Sequence, residues 1–280
     1  MNAARVPPGE ATEQIEMDLL LRAIQLKYGY NFSDYAPASL KRRVRHAMAE
    51  EGVRTFSGLQ EVLLHDEEAM GRFLSALSVN ITSMFRDAFF YTTFRTQIVP
   101  LLRTYPSIRI WHAGCATGEE VFSMAILLHE AGLLSRCTLY GTDISERLLN
   151  DARRGWVPIK QMKANTQNYL SAGGQVDFSS YYTATPTHAM LKPELLQNIY
   201  FSAHNLVSDG PFNEFHVILC RNVMIYFNGT LRERVLQLFD ESLTRLGVLG
   251  LGTKESLRFS SIAHKFIEVT PNSRLYKRLT

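Results

Sequence analysis

Cysteine is scarce. Only Cys115, Cys137 and Cys220 occur in 280 residues, an odd number without paired spacing. That excludes a disulfide framework and a cysteine metal cluster, and it fits a reduced, cytoplasmic protein with no metal. Long apolar runs are missing too: Asp, Glu, Arg or His interrupts each candidate before the ~18 residues a membrane span requires, so no membrane insertion is expected. The first residues carry Pro7, Pro8 and Gly9 but no apolar stretch. They read as a disordered lead-in over 1–12 rather than a signal peptide. Charge of one sign is also lacking. Thirty Lys and Arg against 27 Asp and Glu leave a net +3, too little to argue for nucleic acid. Neither G-x-G-x-x-G nor G-x-x-x-x-G-K-[ST] is present, which disfavours dinucleotide and phosphate-loop folds, and there is no internal repeat.

What is present changes texture near residue 107. Over 13–78 the pattern is helical: Ile15, Leu19, Ala23 and Leu26 recur at helical spacing before Gly29, and Leu40, Val44 and Ala47 share one face of a second helix. Lys41, Arg42 and Arg45 fall on the other face as a basic stripe. Asp66 is placed to cap a third helix through Phe73 and Leu77. Residues 79–106 read as a linker with helix. From 107 to 280 strands alternate with helices: Ile108–Ala113, Thr138–Thr142, Ile199–Ser202, Val217–Cys220 and Val248–Leu251 are strands. Phe266–Val269 and Leu275–Leu279 read as a closing antiparallel pair. Such alternation predicts an α/β fold with a mostly parallel, Rossmann-like sheet. The polar stretch at about 155–197 breaks the rhythm and reads as an insertion.

Ligands of open parallel sheets sit beyond the carboxyl ends of the strands. The first such end here runs Gly114-Cys115-Ala116-Thr117-Gly118-Glu119-Glu120. Its glycines permit a tight turn and close backbone approach. Two carboxylates at the following helix start would repel a phosphate and attract a cation. That favours S-adenosylmethionine, which carries a sulfonium and an ammonium, over NAD or ATP. The same carboxylates could simply complement the helix dipole, worth ~0.3–1 kcal/mol. Asp143 closes the second strand where an acid accepts ribose hydroxyls, or where it caps a helix. The third end, Cys220-Arg221-Asn222-Val223-Met224-Ile225-Tyr226-Phe227, gathers Arg, Asn and Tyr. His46 and His112 read as ordinary polar residues rather than metal ligands.

Together these blocks resemble the chemotaxis receptor methyltransferases, the CheR family. The likeness rests on Ser78 to Asp87, Trp111 to Ser123, Gly141-Thr142-Asp143-Ile144, His204-Asn205-Leu206 and Cys220 to Phe227, in the family's order and spanning about Ile15 to Leu279. It implies a class I methyltransferase domain, a small N-terminal all-helical domain and a small inserted antiparallel β subdomain. It also implies transfer of a methyl group from S-adenosyl-L-methionine to glutamate side chains of chemoreceptor-type proteins. The implied cofactor contacts are Asn80, Thr82, Arg86, Glu120, Asp143, Asn205, Leu206, Asn222 and Val223, with Arg86 and Tyr226 at the methyl-transfer centre. The chain departs from the family's usual pattern at Val121-Phe122, Asn213 and Thr253-Lys254.

A glutamate carboxyl, with an ordinary pKa of ~4.3, is already ionised at neutral pH, so this reaction needs no general base. The family docks its substrate through the helical domain, which makes Lys41, Arg42 and Arg45 candidates for meeting the receptor's cytoplasmic domain. No glycine-rich loop lies between Tyr181 and Met190, so a tether-independent enzyme is expected; a monomer is expected as well. Two alternatives stay open: a methyltransferase of the same fold acting on another substrate, and a cofactor-binding regulatory module without catalysis.

Overall fold

Helices form throughout the N-terminal segment because caps and apolar spacing agree there. In the computed structural model, which describes residues 8–77 and 82–279, these helices are α1 (Pro8–Tyr28), α2 (Pro37–Glu50), α3 (Phe56–His65) and α4 (Ala69–Leu77). Helix α1 starts at Pro8, so residues 8–12 are helical rather than part of a disordered lead-in. Its inward face is Met17, Leu20 and Ile24, whereas Ile15, Leu19 and Leu26 are 61%, 56% and 70% exposed. Both sets satisfy helical spacing, and packing chooses between them. Helix α2 buries Leu40, Val44 and Ala47 as expected, and Arg43 with them. Helix α3 has no counterpart in the periodicity; Thr55 starts it by accepting the Gly58 N–H at 3.0 Å. Asp66 accepts the Glu68 N–H at 2.9 Å just before α4. The segment Tyr226–Leu231 groups with this helical unit, where Tyr226 O accepts the Ala36 N–H at 2.9 Å.

The second unit comprises Asn80–Ile225 and Arg232–Thr280. It begins with short helices α5 (Ala88–Thr93) and α6 (Val99–Leu102) around a π-turn at Phe94–Ile98. Then follow β1 (Ile108–Ala113), α7 (Glu119–Glu130), β2 (Cys137–Asp143), α8 (Glu146–Arg153) and β3 (Trp156–Pro158). Next come α9 (Met162–Ser171), β4 (Tyr182–Ala184), β5 (His188–Leu191), α10 (Pro193–Leu196), β6 (Ile199–Ala203) and β7 (Phe215–Cys220). Helix α11 (Gly229–Ser242), β8 (Leu243–Leu251), β9 (Phe266–Glu268) and β10 (Leu275–Arg278) complete the chain.

Seven strands make one sheet in the order β6-β2-β1-β7-β8-β10-β9. The β6 to β8 run is parallel and the last two strands are antiparallel. The chain leaves β1 toward β2 and β6 on one side, and later fills β7 and β8 on the other. The β1/β7 gap is therefore the topological switch point, the place where such sheets hold ligands. The central strands are buried on both faces: Ile110, Trp111, Leu139, Val217, Ile218, Leu219, Val248 and Leu249 are solvent-free, as covered parallel strands require.

The insertion forms the antiparallel sheet β3-β5-β4. It also contains α9, which a reading of the stretch as merely polar misses. Its polar residues surround a small core of Val157, Met162, Tyr169, Phe178, Tyr181 and Leu191. Glu130, at the end of α7, ties this core down by accepting bonds from the Tyr169 and Tyr181 hydroxyls and pairing with Arg95 at 2.5 Å. All three cysteines are buried and free. No helix among the described residues is long and apolar enough to cross a membrane, and none of their His, Cys, Asp and Glu residues cluster to hold a metal.

Candidate functional site

Backbone conformation builds the crevice first. Gly114 has φ +75°, and a Cβ there would stand 2.4 Å from Val223 Cγ2, so the loop after β1 and the block after β7 interlock only because Gly114 lacks a side chain. Gly118, at φ +92°, ends the same loop; a Cβ there would meet the Phe122 ring at 2.8 Å. The loop is closed by Gly114 and Cys115 N–H bonds to Thr142 O at 2.8 and 2.9 Å.

The two carboxylates of the turn divide. Glu119 is enclosed, 2% exposed, and bonds to the Thr117 hydroxyl at 2.7 Å. Burial raises its pKa. An enclosed carboxylate of this kind does not meet a ligand cation directly, so the pair does not act as two equal attractors. Glu120 faces the other way chemically. Its Oε1 lies 2.9 Å from His112 Nδ1 and its Oε2 accepts from Arg221 Nη1 at 3.1 Å. Burial pushes Glu120 up, but His112 and Arg221 outweigh it and hold the group below the ordinary carboxylate value. Glu120 therefore stays anionic.

Arg221, whose side chain is 3% exposed, is the hub of this network. It also pairs with Asp87 at 2.8 Å and donates to the Arg86 carbonyl at 3.0 Å. Its guanidinium stacks 4.1 Å from the Phe90 ring centroid. Burial opposes its charge, yet Glu120, Tyr91 and Asp87 raise its pKa. The Arg86 segment is thus fastened to the β7 end through its backbone. Two further anchors hold it: Phe85 N–H donates to Ser123 Oγ at 2.9 Å, and Met84 N–H donates to Asn165 Oδ1 at 3.1 Å. Phe85 and Asp87 have φ of 53° and 61°, a strained path for non-glycine residues, and these anchors stabilise it. Asn165 belongs to α9, so the insertion braces the segment that carries Arg86.

Asp143 spans two loops. Its Oδ2 accepts the Ala116 N–H at 2.9 Å and its Oδ1 the Ser145 N–H at 3.0 Å. Burial raises its pKa. Asn205 and Leu206 follow β6 at the same sheet edge, and Asn205 Oδ1 accepts the Val207 N–H at 3.0 Å. Asn222 sits at φ 63°. Its N–H and that of Val223 donate to the Glu255 carboxylate at 2.9 and 3.0 Å, and Gly252 N–H adds a third bond at 2.7 Å. Glu255 is 4% exposed.

The parallel sheet therefore brings Glu120, Asp143, Asn205, Leu206, Asn222 and Val223 to one edge, with Arg86 fastened beside Arg221. Thr82 is half-buried. Asn80 lies outside the described residues. Tyr226 belongs to the helical unit, where the Arg43 guanidinium lies 3.8 Å over its ring. In the basic stripe, Lys41 and Arg45 both pair with Glu13, at 2.8 and 2.9 Å. Sequence reasoning missed Arg221, Glu255, His112 and Asn165. Arg221 and His112 lie inside the family-like blocks, but nothing in spacing says that Arg221 or Glu255 works by binding backbone.

Residues 80–273 match the family described as CheR methyltransferase, SAM binding domain, and residues 15–78 match the CheR methyltransferase all-alpha domain. The chain belongs to the CheR methyltransferase family. It is an enzyme that uses S-adenosylmethionine. The Pseudomonas putida protein Cher3 is 44% identical over 269 residues, covering 96% of this chain and 98% of its own length. The chemotaxis protein methyltransferase of Listeria monocytogenes is 27% identical, covering 87% of this chain and 91% of its own. That of Salmonella typhimurium is 31% identical over 204 residues, covering 69% of this chain and 66% of its own. The crevice suits the CheR cofactor: a close backbone approach at Gly114, a retained anion at Glu120, and an acid at the end of β2.

Proposed function

We propose that this CheR enzyme esterifies glutamate side chains on the cytoplasmic domain of a chemoreceptor-type protein. The observation that carries the reading is the crevice at the β1/β7 switch point, where Gly114 lies under Val223 beside a carboxylate kept ionised. Relatives named chemotaxis protein methyltransferases support the substrate class.

When bound, S-adenosylmethionine supplies an electrophilic methyl group on a cationic sulfur. Glu120 and Asp143 favour the cation and the ribose hydroxyls; Asn205, Leu206, Asn222 and Val223 frame the rest. The attacking glutamate is ionised at neutral pH, so the chain needs no base. His112 fits that requirement, being fully buried with Nδ1 held by Glu120. The residues contribute orientation and exclusion of water, which can supply about 7–11 kcal/mol of barrier reduction. Arg86 orients the substrate carboxylate through a fork of donors, and Asp87 helps hold its segment in place through Arg221.

Docking of the receptor uses the α2 stripe. Arg42 is exposed, and Lys41 and Arg45 exchange Glu13 for acids of the receptor, a salt-sensitive step. The test is incubation with methyl-labelled cofactor and receptor cytoplasmic fragments, followed by alkali. Label released as methanol marks a carboxyl ester. Alkali-stable label would point to another acceptor, and cofactor binding without transfer to a regulatory module.

A further inference from the structure

Phe259 breaks two rules at once. It is 96% exposed, and it holds φ +69°. It occupies the third position of the Leu257–Ser260 turn, closed by the Ser260 N–H bond to Leu257 O at 3.0 Å. A positive φ at that position favours glycine. Neither the ring's exposure nor its backbone benefits the folded chain, and strain of this kind points toward function rather than stability.

The turn is nonetheless firmly mounted. Leu257 and Ile262 are each 3% exposed, plugging the fold on both sides of the tip. Ser261 N–H donates to Glu233 at 2.9 Å. Upstream, Glu255 fixes the loop to Asn222 and Val223. The tip therefore leaves the carboxyl edge of β8, the same edge that holds the cofactor crevice. The prong itself carries Lys254 and Arg258, both exposed and neither joined by an ion pair to an acid among the described residues, with Arg258 5.7 Å from the Phe259 centroid; the nearby acid, Glu233, is engaged by the Ser261 N–H.

We propose that Leu257–Ser260 is a substrate-docking prong. Phe259 inserts between apolar side chains of the receptor helix that presents the target glutamate, while Lys254 and Arg258 meet acids on the same helix. This rests on the receptor reading above. An acidic helix is the occupant because the acceptor surface carries the glutamates to be esterified and the prong's free charges are cationic. A buried aromatic with a flanking arginine is a typical binding hot spot.

The test uses the full chain and a glutamate-rich cytoplasmic receptor fragment from the same genome, with initial rates at saturating cofactor. Phe259→Gly suits the backbone, so it keeps or raises the melting temperature while removing the ring. The expected result is a KM for the fragment raised roughly tenfold, with kcat and affinity for S-adenosylhomocysteine unchanged. Phe259→Trp restores the low KM. Arg258→Glu raises KM and weakens its salt dependence. A wild-type KM in Phe259→Gly overturns the prong while leaving the receptor reading intact. Absence of alkali-labile transfer to receptor fragments by the wild type removes both.

Discussion

Replacing Glu255 with Gln tests how the cofactor crevice is held. The Glu255 carboxylate accepts N–H bonds from Gly252, Asn222 and Val223 at 2.7, 2.9 and 3.0 Å. Gln can keep one oxygen on Gly252 and Asn222, but its amide group then faces the Val223 N–H, donor against donor. A buried N–H left without an acceptor costs about 1–3 kcal/mol. Loss of charge assistance on the remaining bonds adds to this, at about 1 kcal/mol. Burial raises the Glu255 pKa, so the neutral amide recovers part of the loss through relieved desolvation.

The net destabilisation is therefore about 1–3 kcal/mol, or roughly 2–5 °C in melting temperature for a chain of this size. Asn222 and Val223 shift with their anchor, and Val223 is packed against the loop at Gly114. Affinity for S-adenosylhomocysteine should fall about tenfold, the change that about 1.4 kcal/mol of lost binding free energy gives. Thermal melts and calorimetric titration on the same preparation measure both quantities. A variant that melts and binds like the wild type would show that these N–H groups find other acceptors, and the clamp would have no role.

Gly114→Ala places a methyl group 2.4 Å from Val223 Cγ2 at φ +75°. It should cost about 1–3 kcal/mol in denaturant unfolding and abolish measurable cofactor binding; wild-type binding would mean that the two loops separate freely. Glu119→Gln should stabilise the protein at neutral pH. The sign follows from burial raising the Glu119 pKa in the fold. Its stability is then full below the unfolded value and is lost as pH rises through the folded value, so the variant's advantage should disappear on acidification. Unfolding curves across pH test this, and a pH-independent difference would refute it.

The parallel strands other than β8 were legible to within two residues, because buried strands are short apolar runs closed by polar or Gly positions; β8 begins at Leu243, five residues before the expected Val248. Cys137–Asp143 and Phe215–Cys220 differ from the expected strands by one or two residues at their ends. The face of α1 was not legible. Ile15, Leu19 and Leu26 and the truly buried Met17, Leu20 and Ile24 both repeat helically, and only the neighbouring helix decides. Helix α3 escaped because Gly58 weakens its propensity and its start depends on one Thr55 bond. At the site, polar residues at strand ends could be named but not sorted. Glu119 and Glu120 are adjacent in sequence, yet one is enclosed with a raised pKa and the other is held ionised by residues far along the chain. Long-range hydrogen bonds make that distinction, and they have no local signature.

Asp143 supplies a second acid whose protonation should respond to the ligand. Burial raises its pKa even though it accepts N–H bonds from Ala116 and Ser145. Ribose hydroxyls donating to the same carboxylate favour its ionised form and lower the value. Between the bound and free values, binding must then release a proton, and affinity for S-adenosylhomocysteine must rise with pH through that window. At higher pH, where Asp143 is ionised in both states, neither effect remains. Titration calorimetry in two buffers of different ionisation heat reads the proton release directly. Asp143→Asn should bind more weakly and release none. Identical heats in both buffers at every pH, with the wild type still binding, would mean that the ribose is held elsewhere and that Asp143 serves only to join the Ala116 and Ser145 loops.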